Sequence, residues 1–339
     1  MLMVTGVLLW LSFDSIEVHN GKSKVDYLID VWNTANKPFL FLSAFAAIFS
    51  HVIRAERWKL LLNPIGHQVN LKEGFLSVMI GYFINLAIPR GGEVSRCYNL
   101  YRLNKTPVNI SLGTVVAERV IDLLFLIILL SVSFFIQLDN LLMFFNSDEV
   151  QALTSQRSEK SYAMIAVAAI LFFVAIFLIF KFLLKKKRIM MLRVILKSKS
   201  ALSGIKDGVK SVLQLESRRL FIFHSLVIWI CYYLMMYFVM LAFPETENLG
   251  LGAALTIFVI GGIAMAMPLP GGAGSFHILV STGLILLYHL PQDKALAFTF
   301  IFHGWQTLVI IIVGAISMIV SQIIKSKIEK DTIENSIQA

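Results

Sequence analysis

Charge is scarce in this chain. Only 15% of its 339 residues are Asp, Glu, Lys or Arg, against about 25% in an ordinary soluble domain, which excludes a water-soluble globule. Cysteine is scarcer still: Cys97 and Cys231 are the two present, far apart and outside any CxxC or His/Cys cluster, so neither a disulfide scaffold nor a thiolate metal site is indicated and both read as packing residues. Eight prolines and 20 glycines exclude collagen-like and low-complexity chains. Catalytic signatures are missing too. There is no H-E-x-x-H, G-x-S-x-G, G-x-x-x-x-G-K-[ST] or acidic metal motif, and no loop long enough to fold as a catalytic domain. No catalytic residue, metal or cofactor is therefore assigned, and the chain is read as a non-enzyme. An embedded activity would have to be built from His277, His303 and Glu118.

What is present is apolar. Hydrophobic residues make up 57%, with 26 Phe, and the mean hydropathy is +0.76. Lipid is the solvent for most of this chain. A bilayer core needs roughly 20 apolar residues as a helix, and residues 38–58, 109–138, 162–184, 220–243 and 295–324 approach or exceed that. A shorter run at 1–13 lacks a basic start and a cleavage site and reads as a retained first helix. The formal charge of +9 does not indicate nucleic acid, because the basic residues fall in the gaps between apolar runs rather than on one water-facing surface.

Two apolar regions are interrupted. Residues 74–88 end in Pro89-Arg90-Gly91-Gly92 and resume at 93–103; residues 253–267 end in Pro268-Leu269-Pro270-Gly271-Gly272-Ala273-Gly274 and resume at 275–290. Each reads as two half-helices joined by a glycine-rich break. Placing 54–73, 89–108, 185–219 and 325–339 in the cytoplasm collects 22 basic residues on that side against six on the other, and the parity of spans then holds only if each broken segment enters and leaves on one face. The two units consequently have opposite topology. Their punctuation matches: a proline in the break (Pro89, Pro270), a second proline after the second arm (Pro107, Pro291), and a polar residue 12 positions on, Arg119 or His303. The reading is an all-α polytopic membrane protein of about six transmembrane helices plus two re-entrant hairpins in an inverted repeat, a plan that places substrate near the midplane. A single integral domain covers 1–339, with a first unit at 74–138 and a second at 253–324. The alternative is two unrelated Pro/Gly kinks. Segment 185–219, with 11 basic residues, is either a topology determinant or an amphipathic connector on the anionic inner leaflet. The C-terminus is placed in the cytoplasm and the protein in the cell (inner) membrane.

Helix starts freed by a break are anion sites. Arg90, Gly91, Gly92 and Glu93, with Arg96 a turn on, form the stronger candidate; Pro270, Gly271, Gly272, Gly274 and Ser275, with His277, form the weaker. The competing reading is close helix packing at glycine. Glu118, Arg119 and Asp122 crowd one side of a helix and can pair internally; about 29 Å of helix follows Arg119, so the cluster is either functional or a structural group at the cytoplasmic interface. His303 is either a hydrogen-bonded core residue or a site residue. Trp58, after Arg54 and Arg57, reads as an interfacial anchor, and Lys181 as a snorkelling lysine.

The stretch 87–124, with Pro89-Arg90-Gly91-Gly92-Glu93, Arg96 and Val116-Ala117-Glu118-Arg119-Val120-Ile121-Asp122, resembles the flippase-like membrane domain of lysylphosphatidylglycerol synthases and their stand-alone relatives. Arg57-Trp58-Lys59-Leu60-Leu61 and Pro270-Gly271-Gly272-Ala273-Gly274 fit the same family. The resemblance covers essentially the whole chain. It implies translocation of an anionic or polyprenyl-linked lipid across the cytoplasmic membrane, with membrane lipids as partners and no nucleic acid. It implies no synthase activity, since the soluble aminoacyltransferase of the longer relatives has no counterpart here. His277 and His303 stand where many relatives carry Glu and Arg, which alters charge and pH response. The alternative function is a non-transporting subunit that docks a lipid-modifying or glycosyltransferase enzyme through 185–219; a homo-oligomer is compatible with either.

Overall fold

In hydrocarbon every backbone N–H and C=O needs a partner within the protein, so apolar runs of this length resolve into helices. The computed structural model describes residues 2–18, 22–136, 215 and 217–338. Among them are α1 (Leu2–Asp14), α2 (Lys24–Thr34), α3 (Lys37–Leu62), α4 (Leu71–Asn85), α5 (Gly91–Asn104), α6 (Val108–Ile136), α7 (Arg218–Leu241), α8 (Gly250–Ala266), α9 (Ser275–Tyr288) and α10 (Gln292–Gln338), and no strand. α3, α6, α7, α9 with its preceding turn, and α10 are long and apolar enough to cross a membrane; α1 and α8 are apolar but shorter. The protein is an all-α polytopic membrane protein. The expected helix at 162–184, including Lys181, lies outside the described residues, as does the connector 185–219 apart from residue 215 and 217–219.

One helix was not expected. The loop read between residues 14 and 37 contains α2, and its start is encoded locally: the Ser23 hydroxyl accepts a hydrogen bond from the Asp26 amide at 3.1 Å, an N-cap that satisfies one of the donors a helix start leaves free. α4 opens with a reciprocal box, in which the Asn70 side chain accepts from the Glu73 amide at 2.9 Å and Glu73 accepts from the Asn70 amide at 3.2 Å. Asn104, the last residue of α5, donates to the same Glu73 carboxylate at 2.8 Å, which ties the foot of α5 to the foot of α4.

The two broken segments are hairpins built to one pattern. Immediately after the break proline the chain takes a left-handed turn, at Arg90 (φ +60°) and at Gly271 (φ +55°). The second arms, α5 and α9, are both 14 residues long. Each ends on another left-handed residue, Lys105 (φ +59°) or His289 (φ +54°), two positions before the proline that precedes α6 or α10. The packing is reciprocal: α4 lies against α10 and α8 against α6, while α3 and α7 pack on each other.

The direction of insertion follows from the register of these contacts. Along α8 and α6, Gly252 approaches Ile136, Thr256 meets Ser133 at 3.1 Å, and Gly262 approaches Leu126, so the two helices run antiparallel. α6 begins at the foot of the first hairpin and ends beside the start of α8, the foot of the second. α10 gives the same answer. It leaves the foot of the second hairpin, places His303 on the Gly271 carbonyl (3.0 Å), passes Phe83 at Gly314, and brings Ser321 and Gln322 to Asn99 (2.6 Å) and Arg102 (2.5 Å) near the foot of the first. The hairpins therefore enter from opposite faces, and their tips meet, Leu86 lying against Gly271.

Within the first hairpin, glycine serves close approach. A Cβ on Gly92 would lie 2.0 Å from the Gly81 carbonyl oxygen and 2.6 Å from Asn85 Cγ. Gly92→Ala should therefore lower the unfolding free energy by about 1–3 kcal/mol, the range for overpacking. Gly304→Ala, where an added methyl meets nothing within 4 Å, should not lower it, since Ala is the better helix former inside α10. Chemical denaturation of the purified variants in detergent, followed by circular dichroism, reads both.

Candidate functional site

α3 carries its polar residues on one stripe. His51, Arg54 and Trp58 follow each other at helical spacing, with Arg57 three residues after Arg54. All four are buried, Arg57 and Trp58 completely. A guanidinium in a low-dielectric interior is tolerated only when paired, and the partners come from α6. Asp122 accepts from Arg54 and from Arg57, each at 2.8 Å. One turn earlier Glu118 lies 3.5 Å from Arg57 Nε and 2.8 Å from the Arg96 guanidinium, contributed by α5. Arg96 stacks over Trp58, its central carbon 3.7 Å from the ring centroid, and the indole N–H donates to Thr114 at 2.8 Å. Arg57 donates to Ser225 (3.0 Å) and Arg54 to the Tyr232 hydroxyl (3.1 Å), which lies 3.3 Å from the Tyr82 hydroxyl. Five helices, α3 to α7, are joined by this network.

Three expectations are corrected by it. Glu118 and Asp122 do not pair internally with Arg119: adjacent helical residues point about 100° apart, so the two carboxylates face α3 and α5 while Arg119 turns away and pairs with Glu93 at 3.1 Å. Trp58 is not an interfacial anchor but the buried floor under Arg96. Arg54 and Arg57 belong to α3, not to a cytoplasmic loop, because the helix continues to Leu62.

A cavity of ≈ 530 Å³ opens between the hairpin tips. Of the expected site residues, Arg90, Glu93, Arg119, Asp122, Gly271, Gly272 and His303 line it. The others stand behind. Arg96 and Glu118 are committed to each other. The Gly91 amide donates to the Ile88 carbonyl (2.9 Å) and the Gly92 amide to the Asn85 side chain (2.8 Å), so these amides serve the hairpin and not an open anion site. In the second break Pro270, Ser275 and His277 are buried. Ser275 donates to the Ala264 (2.9 Å) and Gly272 (3.1 Å) carbonyls, and His277 Nδ1 accepts from the Gly274 amide at 3.4 Å. Gly274 itself packs on Leu8 of α1.

Helical register makes two of these pairs equivalent. Glu93 is the third residue of α5 and His277 the third of α9; Arg119 is 12 residues past Pro107 and His303 12 past Pro291. The first hairpin thus places an ion pair where the second places two imidazoles, with ring centroids 4.8 Å apart. Sequence reasoning missed His51, Arg54, Arg57, Tyr82 and Tyr232. The available signal was the Arg54/Arg57 spacing on an apolar helix, which demands carboxylates elsewhere in the bundle.

Removing one member of a buried ionic group strands the rest, at a cost of about 3–5 kcal/mol. Glu118→Gln should destabilise the protein by that order, since Arg57 and Arg96 lose their shared partner, and adding Arg96→Met to it should recover part of the loss. Denaturant unfolding of the single and double variants measures both.

Comparison with known proteins agrees in kind with the geometry. A UPF0104 membrane protein of Methanocaldococcus jannaschii is 35% identical over 119 residues, which is 34% of this chain and 35% of that protein. The match thus spans about a third of that relative's length. No solved structure matches. The family model described as the lysylphosphatidylglycerol synthase TM region matches residues 2–314, and by that coverage the chain belongs to the lysylphosphatidylglycerol synthase TM region family.

Proposed function

We propose that this protein moves a lipid with a phosphate-bearing, anionic headgroup across the cell membrane. One observation carries the reading: two hairpins that enter from opposite faces meet at a single cavity whose wall joins apolar surface to an excess of positive charge. Arg54, Arg90 and Arg119 face Glu93 and Asp122 there, three cations against two carboxylates. Methionines 79, 235, 236, 265 and 267 and several aromatics supply the apolar wall, suited to the first segments of an acyl or prenyl chain. A volume of this size is typical of small-molecule sites.

The residues divide the work by their surroundings. Arg90 is exposed and makes no ion pair with a described residue, so it meets an incoming phosphate first. Among the described residues Arg119 forms an ion pair with Glu93 alone, and a phosphate, offering more acceptor oxygens than a carboxylate, competes for it. Asp122 and Arg54 are locked together and set the potential of the cavity floor without moving. No bond is made or broken, so the activity is transport and not catalysis. In this reading the chain is one integral domain whose units span about 74–138 and 253–324. The basic segments 185–219 and 325–339 then lie in the cytoplasm and attract anionic lipid.

Reconstitution into vesicles containing headgroup-labelled phosphatidylglycerol tests the proposal. Transbilayer exchange should exceed that of protein-free vesicles, and Arg90→Gln and Arg119→Gln should each slow it by about tenfold, the worth of one charge-assisted hydrogen bond. Lys22→Ala, at an exposed residue ahead of α2 that lies outside both the cavity and those basic segments, should match the parent. Exchange no faster than in empty vesicles overturns the proposal.

A further inference from the structure

The arginines proposed to receive the phosphate are one part of the cavity wall. Besides Arg54 Nε, three buried nitrogens of that wall have no hydrogen-bond partner among the described residues: His51 Nδ1, Trp229 Nε1 and Gln306 Nε2. All three side chains line the cavity, and His51 is more than nine-tenths buried. Two of them lie together around Tyr232. The His51 ring is 4.2 Å from Tyr82 and 6.4 Å from Tyr232, and Trp229 is 6.1 Å from Tyr232. Gln306 stands one turn beyond His303, whose own ring is spent on the Gly271 carbonyl.

Unpaired polar atoms inside a membrane protein demand a polar occupant, and the kind of atom identifies it. An indole N–H and an amide NH₂ donate, an imidazole nitrogen donates or accepts, and the Tyr82 and Tyr232 hydroxyls do both. At the border with the phosphate site, Glu93 Oε2 is a further buried acceptor without a hydrogen-bond partner among the described residues. Glu118 and Asp122 each hold two arginines, while Glu93 holds Arg119 through one oxygen and leaves Oε2 open to a hydroxyl donor. Flat aromatic faces beside alternating donors and acceptors suit hydroxyl-bearing carbon rings and short polyols.

We infer, building on the proposed lipid-binding function, that the cavity selects phospholipids whose headgroup beyond the phosphate is neutral and rich in hydroxyls, through His51, Trp229 and Gln306. The headgroup lies across the cavity with its phosphate at Arg90 and Arg119 and its hydroxyls at α3, α7 and α10.

Binding to the full-length protein in phosphatidylcholine nanodiscs, read by native mass spectrometry, tests this independently of transport. Phosphatidylinositol and phosphatidylethanol carry the same charge and differ in hydroxyls, so phosphatidylinositol should bind about tenfold or more tightly, the effect of satisfying otherwise unpaired buried groups. His51→Phe and Gln306→Leu should lower phosphatidylinositol to the level of phosphatidylethanol without changing phosphatidylethanol itself. His51→Asn, which keeps a donor and an acceptor, should retain the preference. Equal binding of phosphatidylinositol and phosphatidylethanol overturns the inference while leaving phosphate-dependent transport standing; binding of neither overturns both. Glycerophosphoinositol, the same headgroup without acyl chains, should compete at least about a hundredfold more weakly because it forgoes burial of the chains; equal competition would make the ligand a soluble phosphate ester and overturn its assignment as a lipid.

Discussion

The pairing of Arg54, Arg57 and Arg96 with Glu118 and Asp122 is the constraint on which the first half of the molecule rests. A charge at this depth has no solvent to fall back on, so each guanidinium dictates where a carboxylate must be, and each carboxylate fixes the rotation and height of the helix that carries it. α6 presents Glu118 and Asp122 one turn apart because α3 presents two arginines at nearly the same pitch. α5 is drawn in by Arg96, and α7 by Ser225 and Tyr232. Once those helices are set, Arg119 has one direction left, toward Glu93 and the cavity. The charge that faces the lumen is thus a consequence of the charge that does not.

Around this cluster the chain uses the same backbone device twice. A proline followed by a left-handed residue turns each hairpin, and a left-handed residue two positions before a proline ends it. Side chains do not follow the repeat. The first hairpin spends glycine on bringing α4 and α5 into contact; the second spends a serine and a histidine on holding its own break closed.

The helices and the breaks were legible in the sequence because lipid removes the ambiguity that water leaves: a long apolar run has one conformation, and a Pro-Gly interruption within it has to be a turn. Opposite topology followed from the placement of basic residues, and the register of α6, α8 and α10 bears out that inversion. The site was legible only in part. Arg90, Glu93, Arg119, Asp122, Gly271, Gly272 and His303 were singled out and line the cavity. Arg54 and Arg57 were not, because a charge near the end of an apolar run reads as a loop until the helix is known to continue, and Trp58 was misread with them. His51, Tyr82 and Tyr232 gave no signal at all. Each is an ordinary residue on its own helix, and their significance is the tertiary contact among α3, α4 and α7, which no local pattern encodes.

Inverted entry of two matching hairpins relates the membrane's two faces by a rotation about an axis in its plane. A body with that symmetry would be indifferent to direction: whatever happened at one leaflet would happen identically at the other. Arg90 against Gly271, and Glu93 with Arg119 against His277 with His303, are the places where this chain departs from its own symmetry. They make one approach to the cavity electrically unlike the other. The difference between the two approaches is therefore written in a few side chains at equivalent positions on a backbone that repeats itself.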